Sequence, residues 1–292
     1  MTGSSEGRRG VLAIVGTPIG NLGDLSTRSV EVLGAAALVA CEDTRRTGRL
    51  LQYLAISAPA MCVVNQHTEM SSVRRVLEVL ASGGDVALVS DAGMPVVSDP
   101  GASLVDAVAR AGYEVVVVPG PSAVVAALAV SGLVGDRFCF EGFLPRKGGD
   151  RRARISELSR EPRISVLFEA PHRIVRTIDD LADVLDPTRR VTICRELTKR
   201  YEEVWRGSLS EAVVHVHASE PRGEYVIVLA GVPIDDVAPD DDEVTEAIRV
   251  ELAAGVSRRD AVDNVAGALG ASRRRVYQLA VGVAFDATDA DP

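Results

Sequence analysis

The stretch Val86–Gly101, VALVSDAGMPVVSDPG, followed by VVVVPGPSA at Val115–Ala123, constrains the fold more than any other part of this 292-residue chain. Val86–Val89 and Val115–Val118 are short, apolar and rich in β-branched residues, as are strands buried on both faces of a parallel sheet. Each run stops abruptly at small, turn-forming residues. Ser90-Asp91-Ala92-Gly93 sets a carboxylate at a strand's carboxyl end, beside a glycine that admits a ligand to the backbone. Open α/β sheets bind ligands at that edge. Ser98-Asp99-Pro100-Gly101 reads as a helix start, with Asp99 as N-cap and Pro100 in the first turn. Pro119-Gly120-Pro121 stiffens the second turn, and Ser122 can cap a helix beginning near Ala123. Two such crossings in a row describe a pocket wall, although single strand–turn–helix junctions occur in every α/β protein.

The rest of the first half repeats the theme. Val11–Val15, Ala36–Cys41 and Cys62–Val64 read as strands, and Ser26 or Thr27 caps a helix running to about Leu33. Thr44–Leu54 and Ser71–Ala81 read as further helices, the latter with Val73, Val76, Leu77 and Leu80 at helical spacing. About five strands alternating with helices predict an α/β domain over residues 11–120, with Val118–Pro121 as a hinge. Residues 121–232 predict a second α/β domain of mixed strand direction. Its helices are Ala123–Val130, Asp150–Ser159, Ile174–Leu185 and Leu209–Val216; its strands are Phe138–Phe140, Ile164–Phe168, Val191–Cys194 and Tyr225–Ala230. Residues 1–10 are polar and expected to be disordered, and residues 233–243 form an acidic linker. Residues 244–285 predict a helical tail in which Ser257–Leu269, a turn and Ser272–Val281 suggest a helix-turn-helix. Arg273, Arg274 and Arg275 open its second helix, where either phosphate contact or plain packing of a small bundle fits.

Composition narrows the classes. The chain is 47% hydrophobic and 25% charged, normal for a soluble globular protein. No apolar run reaches membrane-spanning length and residues 1–10 lack a signal-peptide core, so a cytoplasmic protein is expected. Cys41, Cys62, Cys139 and Cys194 are dispersed and predict buried free thiols, with no metal site. His215 and His217 alternate with Val214 and Val216, a pattern that suits one face of a strand as well as the helix above. The net charge of −9 argues against a nucleic-acid partner only as an average: without the six acidic residues of Asp235–Glu243 it is −3. Arg45, Arg46 and Arg49, and Arg146, Lys147, Arg151, Arg152 and Arg154, can form a basic face.

SDAGMPVVSDPG and PGPSA resemble the tetrapyrrole-methylase-fold methyltransferases, which bind S-adenosylmethionine (SAM) between two α/β domains. GTPIGNL (Gly16–Leu22), EDTR (Glu42–Arg45), GFLPRK (Gly142–Lys147), EAPHR (Glu169–Arg173) and RELTK (Arg195–Lys199) resemble one branch of them. That branch 2′-O-methylates a cytidine ribose in the decoding region of small-subunit (16S) rRNA. The resemblance spans about Val11 to Gly231. It implies that Thr17, Pro18 and Ile19 line the cleft, and that Asp91, Gly93, Met94, Ser122 and Ala123 touch SAM. Phe168 and Leu197 would then pack on the adenosine, and Gly223, Glu224 and Tyr225 close the site. It implies 16S rRNA or the small subunit as partner, and a homodimer.

A ribose hydroxyl is a poor nucleophile, so a positioned base or a nearby cation would help its deprotonation. Three groupings remain open for that role, namely Lys199 with Glu196, Asp43 or Glu42 with Arg45, and Glu169 with His172. Each is also readable as an ion pair. Arg45, Arg146, Lys147, Arg173, Arg195 and Lys199 fall within the motifs and suit rRNA phosphates. Aromatic residues make up only 4% of the chain, which favours recognition through shape and backbone. Two alternatives stand beside rRNA methylation: a tetrapyrrole C-methyltransferase, and a non-catalytic SAM sensor that binds nucleic acid.

Overall fold

The computed structural model describes residues 8–57, 59–65, 69–233, 241–269 and 271–283. The chain divides into two compact units, Met1–Val232 and Pro233–Pro292. The first unit holds two five-stranded sheets.

The first sheet contains β1 (Val11–Val15), β2 (Leu38–Cys41), β3 (Ala60–Val63), β4 (Val86–Leu88) and β5 (Glu114–Val118), in the order β3-β2-β4-β1-β5 and all parallel. Parallel strands demand crossover helices, supplied by α1 (Thr27–Ala35), α2 (Thr44–Tyr53), α3 (Glu69–Ala81) and α4 (Ala102–Arg110). Alternate residues face opposite ways. Leu12, Leu38 and Leu88 pack with Val76 and Leu80 of α3 and Leu104 and Val108 of α4. Val15, Val39 and Val89 pack with Leu33 of α1 and Leu51 of α2. Burial on both faces is why these strands read as unbroken apolar runs.

α5 (Ala123–Ser131) follows and lays Val124 and Ala127 on Val166, Cys194, Val226 and Val228 of the second sheet. That sheet has the order β6-β7-β10-β8-β9, formed by β6 (Phe138–Phe143), β7 (Ile164–Glu169), β8 (Arg190–Arg195), β9 (Glu203–Ser208) and β10 (Tyr225–Leu229). β6 runs parallel to β7; the other pairings are antiparallel, giving the expected mixed sheet. α6 (Gly148–Leu158), α7 (Ile174–Ala182) and α8 (Leu209–His217) cover its other face through Leu158, Ile178, Leu181 and Leu209.

Several sequence expectations are corrected. α4 starts at Ala102 with Gly101 as N-cap at φ +120°, a conformation that favours glycine, so Asp99 caps nothing. Ser122 occupies the N-cap of α5 without a side-chain cap bond. His215 and His217 lie in α8, not on a strand, because Ser208 and Glu211 form a capping box that starts a helix there. β9 has no counterpart among the expected strands. Asp241, Asp242 and Glu243 belong to the first turn of α9 (Asp241–Ala253), where carboxylates favour the helix dipole. The expected disorder of residues 1–7 and the linker residues 234–240 lie outside the described residues, as do residues 284 and 285 of the tail.

The second unit packs α9, α10 (Arg258–Leu269) and α11 (Arg273–Gly282) around Ile248, Leu252, Val262, Val265 and Val276. Two of its three clustered arginines are occupied: Arg273 pairs with Asp263, and Arg275 Nε lies 2.9 Å from Asp241.

Candidate functional site

Sheet order decides what meets at the site. β1 lies between β4 and β5, so the loops after these strands, 16–20, 90–101 and 119–122, emerge side by side. Gly16 and Gly120 touch: a Cβ on Gly120 would lie 2.8 Å from Gly16 Cα. Thr17 ties the first two loops together. Its N–H donates to the Gly93 carbonyl (3.0 Å), its Oγ1 donates to the Ser90 carbonyl (3.0 Å), and Gly93 N–H donates to Oγ1 (3.2 Å). In the second sheet β10 runs against both β7 and β8, so its start, Tyr225, pairs with the ends of the other two, Glu169 and Arg195. EAPHR, RELTK and Gly223–Tyr225 therefore converge on one edge.

Between these two sets of loops lies a cleft with two adjoining lobes, of about 480 and 370 Å3, which share Ile19, Ala92, Lys199 and Glu224. The larger is lined by eight of the expected cofactor residues: Ile19, Met94, Ser122, Ala123, Phe168, Leu197, Glu224 and Tyr225. Thr17, Pro18 and Asp91 line the smaller. Gly93 and Gly223 line neither; both have positive φ, and a Cβ on Gly223 would lie 2.5 Å from the Glu196 carboxyl. Phe140 and Phe143 meet Phe168 edge-on, with ring centroids 4.9 and 5.8 Å away, and fix that wall.

The loops are strained where they form walls. Among the described residues five non-glycine residues have positive φ, and four of them flank the cleft: Val96 (+77°), Ser98 (+62°), Glu196 (+51°) and Thr198 (+64°). Such conformations are unfavourable for side-chain-bearing residues and concentrate at functional sites.

Charge is distributed unevenly. Lys199 Nζ lies 2.9 Å from Glu196 Oε1 and 2.8 Å from Glu224 Oε2. Burial opposes its charge, but these two hydrogen bonds prevail and raise its pKa above the ordinary lysine value. Burial likewise works against the Glu196 carboxylate, yet bonds from Lys199 and the Glu224 N–H hold its pKa below the usual range. Asp91 is pushed upward by burial, against the pull of Arg46, 3.5 Å away. Its buried Oδ1 has no hydrogen-bond partner among the described residues. Asp99, expected as a cap, instead lines the larger lobe, and its carboxyl is raised by burial.

The remaining candidates separate. Asp43 is the N-cap of α2 and accepts from Arg45 N–H (2.7 Å); it lines neither lobe, and that bond lowers its pKa. Glu42 is exposed as a residue, but partial desolvation of its carboxyl, followed by the Asp91 and Asp99 charges, raises its pKa. His172 lines the larger lobe. Glu169 borders it too, but its buried carboxylate accepts from Thr177 Oγ1 (2.6 Å) and Arg173 Nε (3.0 Å). Arg173 also donates to the Leu144 carbonyl (2.6 Å), so its fork is turned inward. Arg195 donates to the Arg222 carbonyl and to Glu203, beside a separate hole of about 30 Å3. Arg45, Arg146 and Lys147 are exposed. Sequence reasoning misses Leu50 and Tyr53 as site residues and gives Arg49 only as part of a basic face, although all three line the smaller lobe; their helical spacing with Arg46 just after EDTR is the available signal. No cluster of His, Cys, Asp or Glu suited to a metal occurs among the described residues.

The family model of tetrapyrrole (corrin/porphyrin) methylases matches residues 11–213. A ribosomal RNA small subunit methyltransferase I of Synechocystis is 41% identical over 278 residues, 95% of this chain and 99% of the relative. One from Thermotoga maritima is 46% identical over 222 residues, 76% of this chain and 99% of that protein. Among solved structures, uroporphyrin-III C-methyltransferase of Thermus thermophilus, complexed with S-adenosyl homocysteine, matches with a TM-score of 0.53 at 22% identity. That match covers 76% of this chain and 97% of the other, and shows the shared fold.

Proposed function

The chain belongs to the tetrapyrrole methylase family, and from that premise we propose that it methylates small-subunit rRNA with SAM, at the 2′-hydroxyl of a cytidine ribose in the decoding region. The near full-length likeness to relatives named for that RNA carries the substrate class. Tetrapyrrole C-methylation has only the fold in its favour. The relatives described above are named as methyltransferases, which tells against the sensor reading.

The residues present fit the cofactor. Ile19, Met94, Phe168 and Leu197 offer apolar surface for an adenosine, and Asp99 together with the two carboxylates that share Lys199, Glu196 and Glu224, leaves the larger lobe an excess of negative charge suited to a cation. The unpartnered Asp91 Oδ1 suits a ligand hydroxyl or amino donor. When bound, SAM supplies an electrophilic methyl on a sulfonium centre. The protein's share of the work is alignment and exclusion of water. Lys199 stands in the wall common to both lobes, held as a cation by Glu196 and Glu224, and stabilises negative charge developing on the acceptor oxygen. Neither Lys199, with its raised pKa, nor Glu196, with its lowered one, is suited to take the proton at neutral pH. Asp43 contributes by fixing the start of α2. Arg45, Arg146 and Lys147 are the cations exposed to rRNA phosphates, whereas Arg173 and Arg195 are engaged within the protein.

We further propose a homodimer acting in the cytoplasm, where small subunits are assembled. α5 is apolar on every side and leaves Val125 60% exposed, which favours a second copy as its cover. No described helix is long and apolar enough to cross a membrane.

The test is transfer of labelled methyl from SAM to small subunits lacking this modification, followed by nuclease digestion and mass spectrometry. A 2′-O-methylcytidine from the decoding region is the expected product. SAM binding without transfer to subunits or naked rRNA would overturn the assignment.

A further inference from the structure

The two lobes of the cleft differ in chemistry, and Thr17, Pro18 and Asp91, the residues there expected to meet a cofactor, account for only part of the smaller one. One of its walls is a stripe of α2, Arg46, Arg49, Leu50 and Tyr53, at the i, i+3, i+4, i+7 spacing that puts side chains on one helix face. One of its cations stands without an ionic partner: Arg46 is paired with Asp91, and Lys199 with Glu196 and Glu224, but Arg49 has no ion pair among the described residues. Tyr53 is 67% exposed where it lines the lobe, and Leu50 adds apolar surface one turn away. A spare guanidinium, an unstacked aromatic ring and a cavity of about 370 Å3 that shares Lys199 with the cofactor lobe form one set. Aromatic faces hold bases whatever their sequence, and guanidinium forks hold phosphate.

We infer that the smaller lobe is the pocket for the acceptor nucleotide. One nucleotide leaves the rRNA stack, lays its base against Tyr53 and Leu50 and sets its phosphate on Arg49. Its ribose then reaches the common wall formed by Ile19, Ala92, Lys199 and Glu224. The 2′-hydroxyls of an RNA helix lie on a wide, shallow minor groove, whereas a cavity of about 370 Å3 has room for a single nucleotide and not for a helix. This rests on the rRNA-methylation reading above and names where the acceptor is held.

The test compares the wild-type protein with Tyr53→Ala, Tyr53→Phe and Arg49→Gln, using small subunits that lack the modification. Because Tyr53 and Arg49 are exposed, these variants are expected to fold. Tyr53→Ala should raise KM for subunits roughly 5- to 150-fold, the range expected for losing a base stack, and Arg49→Gln should raise it by about tenfold or more through the lost phosphate contact. Their kcat and SAM affinity should stay within about twofold, and Tyr53→Phe, which restores the ring, should recover most of the loss. Independently of turnover, ultraviolet crosslinking of wild-type protein to rRNA should map to the peptide carrying Tyr53. Wild-type KM in both Tyr53→Ala and Arg49→Gln, or crosslinks confined to peptides away from α2, would overturn the pocket while leaving rRNA methylation intact. A wild-type protein that transfers nothing to rRNA overturns both, and does so before any variant is made.

Discussion

Replacing Glu169 by alanine is expected to unfold the protein at a much lower temperature. Sequence alone offers Glu169 with His172 as a proton-handling pair and Arg173 as a phosphate grip. The structure binds Glu169 and Arg173 to each other instead. The Glu169 side chain is 1% exposed and that of Arg173 18%, with Nε 3.0 Å from Oε1. Thr177 Oγ1 and the Ala170 N–H complete the carboxylate's partners. Thr177 in turn accepts from buried Arg151, which pairs with Asp180 at 2.7 Å. Without the carboxylate Arg173 keeps only the Leu144 carbonyl. Removing one member of a buried ion pair costs about 3–5 kcal/mol, because the other charge is left uncompensated. For a unit the size of Met1–Val232, each kcal/mol shifts Tm by about 2–4 °C, so Glu169→Ala should melt about 6–20 °C below wild type. Arg173→Ala should fall in a similar range. The double variant should cost less than the two losses added, since the pair is broken only once. Thermal unfolding followed by circular dichroism measures all four corners of the cycle. A Glu169→Ala protein melting within about 2 °C of wild type, or strict additivity in the double variant, would refute the reasoning.

Other outcomes follow from the same structure. Burial pushes the Cys41 and Cys194 thiols up to about 11 and also raises Cys62 and Cys139; Ellman's reagent at pH 8 should therefore react slowly with native protein and promptly with all four thiols once it is unfolded. Gly120→Ala drives a methyl into the backbone of Gly16 and should cost about 1–3 kcal/mol and weaken SAM binding; wild-type melting together with wild-type SAM affinity in isothermal titration would contradict it. The Arg163 side chain holds the Glu161 carboxyl at about 2 instead of the ordinary 4.5. A depressed folded-state pKa adds stability that is fully present above pH 4.5 and lost as pH falls towards 2. Glu161→Gln should thus melt below wild type at pH 7, with the gap closing as the melts are repeated between pH 4.5 and 2.

The fold is legible where the chain's local chemistry and its tertiary environment agree. Val11–Val15 and Val86–Leu88 are buried on both faces, so burial is written into them as an unbroken apolar run. β9 carries Glu203, Trp205, Arg206 and Gly207 on a sheet edge, and it is a strand only because β8 pairs with it; nothing local announces that. The alternation at His215 and His217 fits a strand over four residues, but the capping box at Ser208 and Glu211, seven residues upstream, decides for helix. In the site, contiguous loops such as Asp91–Met94 can be read from their own composition. The place of Arg49 and Tyr53 in a cavity wall is not written in α2 alone, because that cavity is completed by Lys199 and Glu224 arriving from the other sheet. Asp99 misleads for a related reason: Gly101 ends the loop first, which turns the carboxylate towards the cavity.

The dispersal of the cleft along the chain sets a schedule for its assembly. Its first wall, at Thr17–Gly20, and its last, at Glu224–Val226, are separated by almost the whole first unit. At about 5–20 residues per second of synthesis, the last wall leaves the ribosome roughly 10–40 s after the first. During that interval the nascent parallel sheet has no completed pocket, so a small-molecule ligand that needs both walls meets its full site only after the last of them has emerged. A message truncated anywhere before codon 224 yields a product that lacks part of both lobes.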